Sequence, residues 1–360
     1  MTLSTHTPQQ EAPPDPAALQ EEIGAYWAAK TVVSAWNAGA QAIALLRAAL
    51  SSGVLDALRN SSSPAEIAAA TGMPEERVTQ LLVALDAHGI VERAGDAYTL
   101  AADLARLLSP AAIQPLANIL NMEGAKAQAI ERIGTATLPY TALTPDEHLA
   151  VAKGVMGVPA SPLWQATMAA MATNGLPEVT AIAETGGRHL ELGCGAASML
   201  VTILALYPRM TAVGVDVSAV ALTEARRRAE EVGVADRLEL RQQDARALPD
   251  TACYDVVSWS EHFFPAETRA AALAVAFRAL KPGGYLIATA GASPLSAETL
   301  RQPEGRAEAM SRLLFGSWGV PALEQRGAEA ELTAAGFTIT RVVPAAGGLR
   351  GAMLAQRPRA

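Results

Sequence analysis

Hydrophobic and polar positions follow two different patterns along the chain. From residue 21 to about 60, apolar side chains recur at helical spacing, and Gly53 separates two predicted helices. The motif Ser63-Pro64-Ala65-Glu66 predicts the start of another helix, because Ser63 can cap the first turn and Glu66 stands at the capping-box spacing. The first part of the chain is therefore predicted to be mostly helical.

A further helix and a hairpin follow. The helix is predicted from Pro74 to His88, and the short runs 90–93 and 97–100 flank a turn at Ala94-Gly95-Asp96. Two helices followed by a hairpin are typical of a winged helix, which commonly binds DNA through its second helix. In this chain that helix carries Glu75, Glu76 and Asp86 against Arg77, which argues against contact with nucleic acid.

The second half of the chain has a different pattern. From residue 189 onward, short apolar runs alternate with helical segments, which predicts an α/β domain with a mostly parallel sheet. The closing segments 335–343 and 352–355 predict an antiparallel hairpin that completes a seven-stranded sheet. The predicted parallel strands are 189–192, 213–215, 238–240, 254–258 and 285–290.

A glycine turn joins the first two of these strands. The run His189-Leu190-Glu191-Leu192-Gly193-Cys194-Gly195-Ala196-Ala197 ends a strand and opens a helix, and Asp216 ends the next strand. Glycines let a ligand approach the backbone closely, and an acid at the second strand end can accept both hydroxyls of a ribose. These features predict a cofactor that contains a nucleoside.

Glu191 narrows the choice of cofactor. A dinucleotide site has a third glycine and holds a pyrophosphate, whereas this turn has Ala197 at that position and a carboxylate two residues before Gly193. A carboxylate repels a pyrophosphate but suits a ligand with an α-amino group. The turn therefore favours S-adenosylmethionine over NAD.

The order and spacing of these segments, together with the turn Lys281-Pro282-Gly283-Gly284, resemble the class I S-adenosylmethionine-dependent methyltransferases over roughly residues 185–357. The resemblance implies a Rossmann-like seven-stranded sheet and a set of cofactor contacts. Glu191 would hold the methionine amino group, and Gly193 and Gly195 would admit the cofactor. The other implied contacts are Asp216 with Val217 for the ribose, Asp244 with Ala245 for the adenine, and Ser258 with Trp259 along the exposed edge.

The pairing of a winged helix with such a domain resembles the plant-type O-methyltransferase family and its bacterial relatives, in which the first module dimerises. It implies a homodimer joined through the N-terminal domain. The expected organisation is a disordered tail over 1–18, a winged-helix-like dimerisation domain over 19–108, a helical linker covering the substrate pocket over 109–180 and a catalytic domain over 181–360.

Composition limits the remaining classes of function. The chain has 360 residues and a net charge of −8, so a nucleic-acid-binding surface is not expected. Its two cysteines, Cys194 and Cys253, are too few for a disulfide framework or a zinc cluster. The sequence has neither a signal-peptide pattern nor an apolar run long enough to span a bilayer, so we expect a cytoplasmic protein that binds no membrane.

His262 is the candidate general base. In the resembling family a histidine after the fourth strand takes a proton from the acceptor, and His262 stands at the family's spacing from Lys281. Two departures from the family weaken this assignment. Phe263 and Phe264 replace an aspartate and a tryptophan, and Ala290 occupies the place of a glutamate that orients the histidine. Transfer to oxygen is therefore the preferred expectation, and transfer to nitrogen or carbon remains open.

The acceptor is expected to be a small, aromatic or polyketide-like metabolite. Apolar and aromatic side chains could stack on a planar molecule, although ordinary packing explains each one singly. No spacing typical of a metal site is present, so no metal is expected. A winged-helix regulator that senses S-adenosylmethionine is the alternative from another class. The candidate acceptor contacts are Met156, Trp259, Phe263, Met310, Phe315 and Trp318.

Overall fold

The computed structural model describes residues 16–60, 62–134, 139–344 and 351–359. The chain divides into two compact units, residues 1–105 and 106–360. Residues 1–15 of the expected tail lie outside the described residues, and residues 16–18 belong to the first helix. The elements that begin before the unit boundary are α1 (Pro16–Ser51), α2 (Val54–Ala57), α3 (Pro64–Thr71), α4 (Glu75–Ala87), β1 (Val91–Ala94), β2 (Ala97–Leu100) and α5 (Ala102–Leu107).

The predicted starts and stops of these elements have clear physical causes. Ser63 accepts a hydrogen bond from the backbone N–H of Glu66 and the Glu66 carboxylate accepts from the backbone N–H of Ser63, which is the capping box expected at the start of α3. Strands β1 and β2 pair antiparallel across the turn at residues 95–96. The small core beneath them consists of fully buried aliphatic side chains, among them Leu55, Leu58, Ile67, Val78, Leu82 and Leu85.

Helix α1 exposes an unusual number of large apolar side chains. The side chain of Trp36 is 72% exposed, and seven other aromatic or branched side chains of the helix are at least two-fifths exposed. An exposed apolar face of this kind is typical of a protein–protein contact. The exposed large hydrophobic residues of α1 are Leu19, Ile23, Tyr26, Trp27, Val32, Val33, Trp36 and Ile43.

Among the described residues of the second unit, four α-helices precede the large sheet. They fall in the segment predicted as a helical linker, and prolines at their first turns help to fix the starts of α7, α8 and α9. The 3-10 turn Tyr140–Ala142 comes directly before α7. The helices are α6 (Leu116–Ile133), α7 (Pro145–Gly154), α8 (Pro162–Gly175) and α9 (Pro177–Thr185).

The rest of the second unit alternates strands and helices. Its strands are rich in buried branched residues, as expected for a parallel sheet covered on both faces. The elements are β3 (Arg188–Leu192), α10 (Ser198–Leu206), β4 (Thr211–Asp216), α11 (Ala219–Val232), β5 (Leu238–Gln242), β6 (Tyr254–Trp259), α12 (Ala266–Ala279), β7 (Leu280–Thr289), α13 (Pro303–Ser317), α14 (Gln325–Ala334), β8 (Thr338–Val343) and β9 (Ala352–Gln356).

These strands form one seven-stranded sheet in the order β5-β4-β3-β6-β7-β9-β8. The first four pairings are parallel, and β9 lies antiparallel between β7 and β8. The predicted fold class is therefore confirmed, including the antiparallel closing hairpin. The chain order reverses between β3 and β6, and ligands of open α/β sheets bind at such a point, beyond the carboxyl ends of the strands.

Candidate active site

The glycine turn after β3 is held in a conformation that few residues adopt. Gly193 has φ of +75° and Gly195 has φ of +53°, both in the left-handed region. A Cβ atom at position 193 would lie 3.1 Å from the ring of Phe264. Ala197 also has a positive φ, +51°, just before α10 begins at Ser198. The turn thus brings bare backbone and a helix N-terminus to the carboxyl edge of the sheet.

The Asp216 carboxylate joins the glycine turn to the turn that follows β4 through two hydrogen bonds. Its Oδ2 accepts a hydrogen bond of 2.8 Å from the backbone N–H of Gly195, and its Oδ1 accepts one of 2.8 Å from the backbone N–H of Ser218. Burial nevertheless raises the pKa of the Asp216 carboxyl above its ordinary value. The carboxylate is therefore fixed in place at the end of β4, where the sequence predicted an acid facing a ribose.

Among the acids of the site, Glu191 has the most strongly shifted pKa. The side chain is 5% exposed, and its Oε2 has no hydrogen-bond partner among the described residues. Burial, reinforced by the negative charge of Asp216, raises the pKa of Glu191 to about 8. A buried carboxylate of this kind lacks a compensating positive charge, and a bound cation would supply one.

These groups line a cavity of about 380 Å³, within the usual range for small-molecule sites. Most of the predicted cofactor residues reach it, as do three of the predicted acceptor contacts. The predicted residues that line the cavity are Met156, Glu191, Gly193, Gly195, Asp216, Val217, Asp244, Ala245, Phe263 and Trp318.

The adenine side of the predicted site follows β5. Asp244 lines the cavity but also binds Arg246, whose guanidinium N–H groups donate to both carboxylate oxygens. This pairing lowers the pKa of Asp244. Gln243 precedes it, and its buried Nε2 has no hydrogen-bond partner among the described residues. Gln243 is therefore a polar contact that the sequence interpretation missed.

Ser258 and Trp259 do not line the cavity. Ser258 is the register partner of Glu191, yet its Oγ lies 2.7 Å from Nε2 of the fully buried His189. Trp259 lies in the sheet core, where its ring packs against Phe264 and under the guanidinium of Arg269. Both were expected at the cofactor's edge, but β6 is a central strand whose side chains are buried by neighbouring layers.

His262 also lies outside this cavity. It belongs to the 3-10 turn Glu261–Phe263, in which successive side chains diverge by about 120°. Phe263 consequently faces the large cavity, whereas His262 lines a second cavity of about 20 Å³ and stacks on Phe315, with 5.1 Å between ring centroids. The structure therefore does not bring the candidate base to the cofactor residues.

The remaining candidate acceptor contacts, Met310, Phe315 and Trp318, do not line the same cavity. Phe315 lines only the second cavity, and Met310 lines neither, with 44% of its surface exposed. Both lie on α13, whose faces point in different directions, so their spacing in the sequence could not bring both to one wall. Trp318, just after this helix, does line the large cavity.

Tyr140 is the main residue of the cavity that the sequence interpretation missed. Its ring lies 5.3 Å from that of Phe263 and 5.0 Å from that of Trp318. The backbone oxygen of Tyr140 lies 2.8 Å from Nε2 of His148, and burial raises the pKa of the Tyr140 hydroxyl. The only signal in the sequence was an aromatic residue shortly before the capping box of α7, which gives no information about tertiary position.

Two classes of site are not visible in the described part of the chain. No group of three or more His, Cys, Asp or Glu side chains is placed to hold a metal ion there. Among the described helices, none combines the length and apolar character needed to cross a bilayer.

Comparisons with known proteins agree with the fold. Residues 190–284 match a family model described as a methyltransferase domain. A release factor glutamine methyltransferase from Cereibacter sphaeroides is 38% identical over 119 residues, which are 31% of this chain and 41% of that protein. The chain spans about two-fifths of the length of the curated relatives it matches.

Solved structures of other proteins superpose on this chain over most of the length of both chains. An O-methyltransferase family protein from Burkholderia thailandensis superposes with a TM-score of 0.66 at 20% identity, covering 92% of this chain and 98% of that one. Human N-acetylserotonin methyltransferase, solved in complex with SAM, gives a TM-score of 0.64 at 18% identity, with coverage of 92% and 98%. At these identities the likeness concerns the fold.

Proposed function

We propose that this chain, which has the class I methyltransferase fold and a methyltransferase domain, transfers a methyl group from S-adenosylmethionine to a small aromatic acceptor. The domain match and the structural neighbours support the reaction class. The observation that carries the proposal is the buried, unpartnered carboxylate of Glu191 beside Asp216 at a glycine turn.

The residues of the cavity suit this cofactor. Glu191 would bind the α-ammonium group, directly or through water, and Asp216 would accept hydrogen bonds from the ribose hydroxyls. The open backbone at Gly193 and Gly195 gives the cofactor room, and Asp244 with Gln243 would face the adenine. When bound, the cofactor supplies a methyl group on a positively charged sulfur, which departs as a neutral thioether.

Aromatic side chains define the acceptor's side of the cavity. Tyr140, Phe263 and Trp318 surround the space next to the glycine turn, together with Met156. These rings would bind a planar molecule and exclude water, which holds the reacting atom in line with the methyl group. In this proposal the acceptor atom is a hydroxyl oxygen, and His262 takes its proton after a rearrangement of the turn at residues 261–263.

A second candidate is transfer to nitrogen or carbon. The observation that favours it is the position of His262, whose ring lines the small cavity and stacks on Phe315. A neutral amine or an electron-rich ring carbon attacks without prior removal of a proton, so such an acceptor would need no imidazole at the reaction site. The curated relative named above as a glutamine methyltransferase is consistent with this candidate.

The test uses the full chain with isotope-labelled S-adenosylmethionine and a panel of phenols, indoles, amino acids and 2-oxo acids. Mass spectrometry would show whether a methyl group is added and to which atom. Calorimetry with S-adenosylhomocysteine tests cofactor binding separately. Failure of the chain to bind either cofactor form would refute the proposal.

Variants then separate the two candidates. His262→Ala should lower the rate of oxygen methylation at least about a hundredfold with unchanged affinity for S-adenosylhomocysteine. His88→Ala is the matched control, because it removes an exposed imidazole that directly follows α4 in the first unit and lines neither cavity. A His262→Ala enzyme with nearly full activity would favour the nitrogen or carbon acceptor.

The first unit is proposed to join two copies of the chain. The exposed apolar face of α1, with Trp27 and Trp36, supports this role, because a second copy could cover it symmetrically. Light scattering after gel filtration should give twice the chain mass for the native protein, and Trp36→Glu should shift it towards the monomer. A native monomer at micromolar concentration would contradict the proposed dimer.

A further inference from the structure

Besides Nε2 of Gln243, one hydrogen-bond donor on the wall of the large cavity has no acceptor among the described residues. It is Nε1 of Trp318, a side chain that is only 3% exposed. Buried N–H groups without an acceptor are rare, because each has given up a hydrogen bond to water. Among the buried tryptophans, Nε1 of Trp164 donates to the hydroxyl of Thr202 at 3.0 Å, whereas Nε1 of Trp259 in the sheet core also has no acceptor among the described residues. Of the two tryptophans without an acceptor, Trp318 is the one that lines the cavity.

The surrounding rings hold the Trp318 indole in one orientation. Tyr140 and Phe315 contact it nearly edge to face, with centroid distances of 5.0 and 5.3 Å and interplanar angles of 66° and 69°. Phe263 lies almost parallel to it, with 6.2 Å between the centroids. The Trp318 indole packs against three rings and lines the cavity, so a molecule bound there can supply the acceptor that the described residues do not.

The charges on the wall limit what that acceptor can be. The acidic side chains Asp216 and Glu267 line the cavity, and the lining cation Arg246 is already paired with Asp244. An anionic acceptor group would therefore meet a negative wall. A neutral oxygen avoids this repulsion, and the carbonyl of an aromatic ketone or quinone also lies in the plane of a ring that could stack against the aromatic wall formed by Tyr140 and Phe263.

We infer that Trp318 is a specificity-determining residue whose indole N–H donates a hydrogen bond to a ring carbonyl of a planar aromatic acceptor. The inference rests on the proposed methyl transfer and narrows its acceptor to carbonyl-bearing aromatic compounds. The same contact fixes the acceptor's rotation in its plane, because a single in-plane hydrogen bond anchors one edge of the stacked ring.

The test compares two probes that differ in their carbonyl groups. The full chain is first loaded with S-adenosylhomocysteine, and the binding of 1-hydroxyanthraquinone and of 1-hydroxyanthracene is then measured by calorimetry. The quinone should bind about tenfold more tightly, as expected when a buried donor gains its acceptor. Trp318→Phe keeps an aromatic ring but removes the N–H, so it should abolish this preference.

Two further variants control the test. Trp164→Phe removes the indole N–H of a buried tryptophan outside the cavity and should keep the preference for the quinone. Trp318→His restores a ring N–H and should recover part of the preference, and melting curves would show that each variant is folded.

Equal binding of both probes, binding of neither, or an unchanged preference in a folded Trp318→Phe protein would overturn the inference. Because S-adenosylhomocysteine uptake is measured first, these outcomes are distinct from failure of the proposed function. A chain that does not bind S-adenosylhomocysteine would refute both.

Discussion

Cofactor affinity should depend on pH through a single side chain, Glu191. The pKa of this carboxyl rises from its ordinary value of 4.5 to about 8, because it is buried and lies near the negative charge of Asp216. A ligand with an α-ammonium group binds the ionised form, so the ligand-free protein must first lose a proton at any pH below 8. Binding in this range should therefore release close to one proton.

The size of the effect follows from the fraction of Glu191 that is ionised. With a pKa of about 8, that fraction is one half at pH 8, roughly a tenth at pH 7 and roughly a hundredth at pH 6. The apparent affinity for S-adenosylhomocysteine should accordingly fall about fiftyfold between pH 8 and pH 6.

Calorimetry in buffers of different ionisation enthalpy measures both the affinity and the protons released. Glu191→Gln should bind more weakly at pH 8 and lose the dependence on pH. Glu224→Gln is the matched control, because the pKa of that buried glutamate is lowered to about 2 by Arg227 and Arg228 and the residue stays ionised throughout. The affinity of Glu224→Gln for S-adenosylhomocysteine should change with pH as steeply as that of the native protein. A flat affinity between pH 6 and 8, with no proton release, would refute the reasoning.

The raised pKa of Glu191 also makes the stability of the ligand-free protein depend on pH. The folded state of the ligand-free protein binds a proton at Glu191 that the unfolded state releases between pH 4.5 and 8. The free energy of unfolding should therefore fall as the pH rises through this window, and the contribution is fully present below pH 4.5. Urea unfolding at pH 6.5 and 8.5 should show the loss in the native protein and little of it in Glu191→Gln.

Three further variants test other parts of the second unit. Ala197→Val should destabilise the protein by about 2 kcal/mol in urea unfolding and weaken S-adenosylhomocysteine binding, because a β-branched residue is strained at φ of +51°; unchanged stability would contradict this. Burial lowers the pKa of His189 to about 4, so the folded protein should lose stability as the pH falls from 6.5 to 4. Thermal melts over this pH range should show a smaller loss of stability for His189→Gln than for the native protein. Glu331→Gln should lower the free energy of unfolding by about 3 kcal/mol, because it leaves the 3%-exposed guanidinium of Arg269 without its carboxylate. Glu329→Gln on the exposed face of the same helix should lower it by under about 0.5 kcal/mol.

The sheet and the cavity wall formed by the glycine turn and its neighbouring acids could be predicted because their signals are local. A glycine turn at the end of one apolar strand and an acid at the end of the next fix positions at the same edge of a parallel sheet. Gly193, Glu191 and Asp216 needed only the strand periodicity to be placed together, and the structure brings all three to the cavity. The capping box at Ser63 and Glu66 is local in the same sense.

The predicted residues that the structure does not bring to the cavity, and those that the sequence did not reveal, have surroundings that depend on distant parts of the chain. Ser258 turns to His189 because of the pairing between β3 and β6, which the sequence of either strand does not reveal. Tyr140 reaches the cavity through the packing of a 3-10 turn about fifty residues before the glycine turn. In the turn at 261–263, a shift of one residue decides which side chain faces the cavity, and spacing from Lys281 cannot resolve such a shift.

That turn determines what kind of chemistry the site can perform without movement. Phe263 and His262 are neighbours in one 3-10 turn, so the conformation that presents the aromatic ring to the cavity directs the imidazole to the second cavity. An acceptor that must lose a proton before methyl transfer needs either a rearrangement of this turn or a carboxylate of the wall such as Glu267. An imidazole base acts only in its neutral form, so the rate would fall towards acid pH, and His262→Gln would remove this dependence. A neutral amine acceptor would instead give a profile set by its own pKa, which His262→Gln leaves in place.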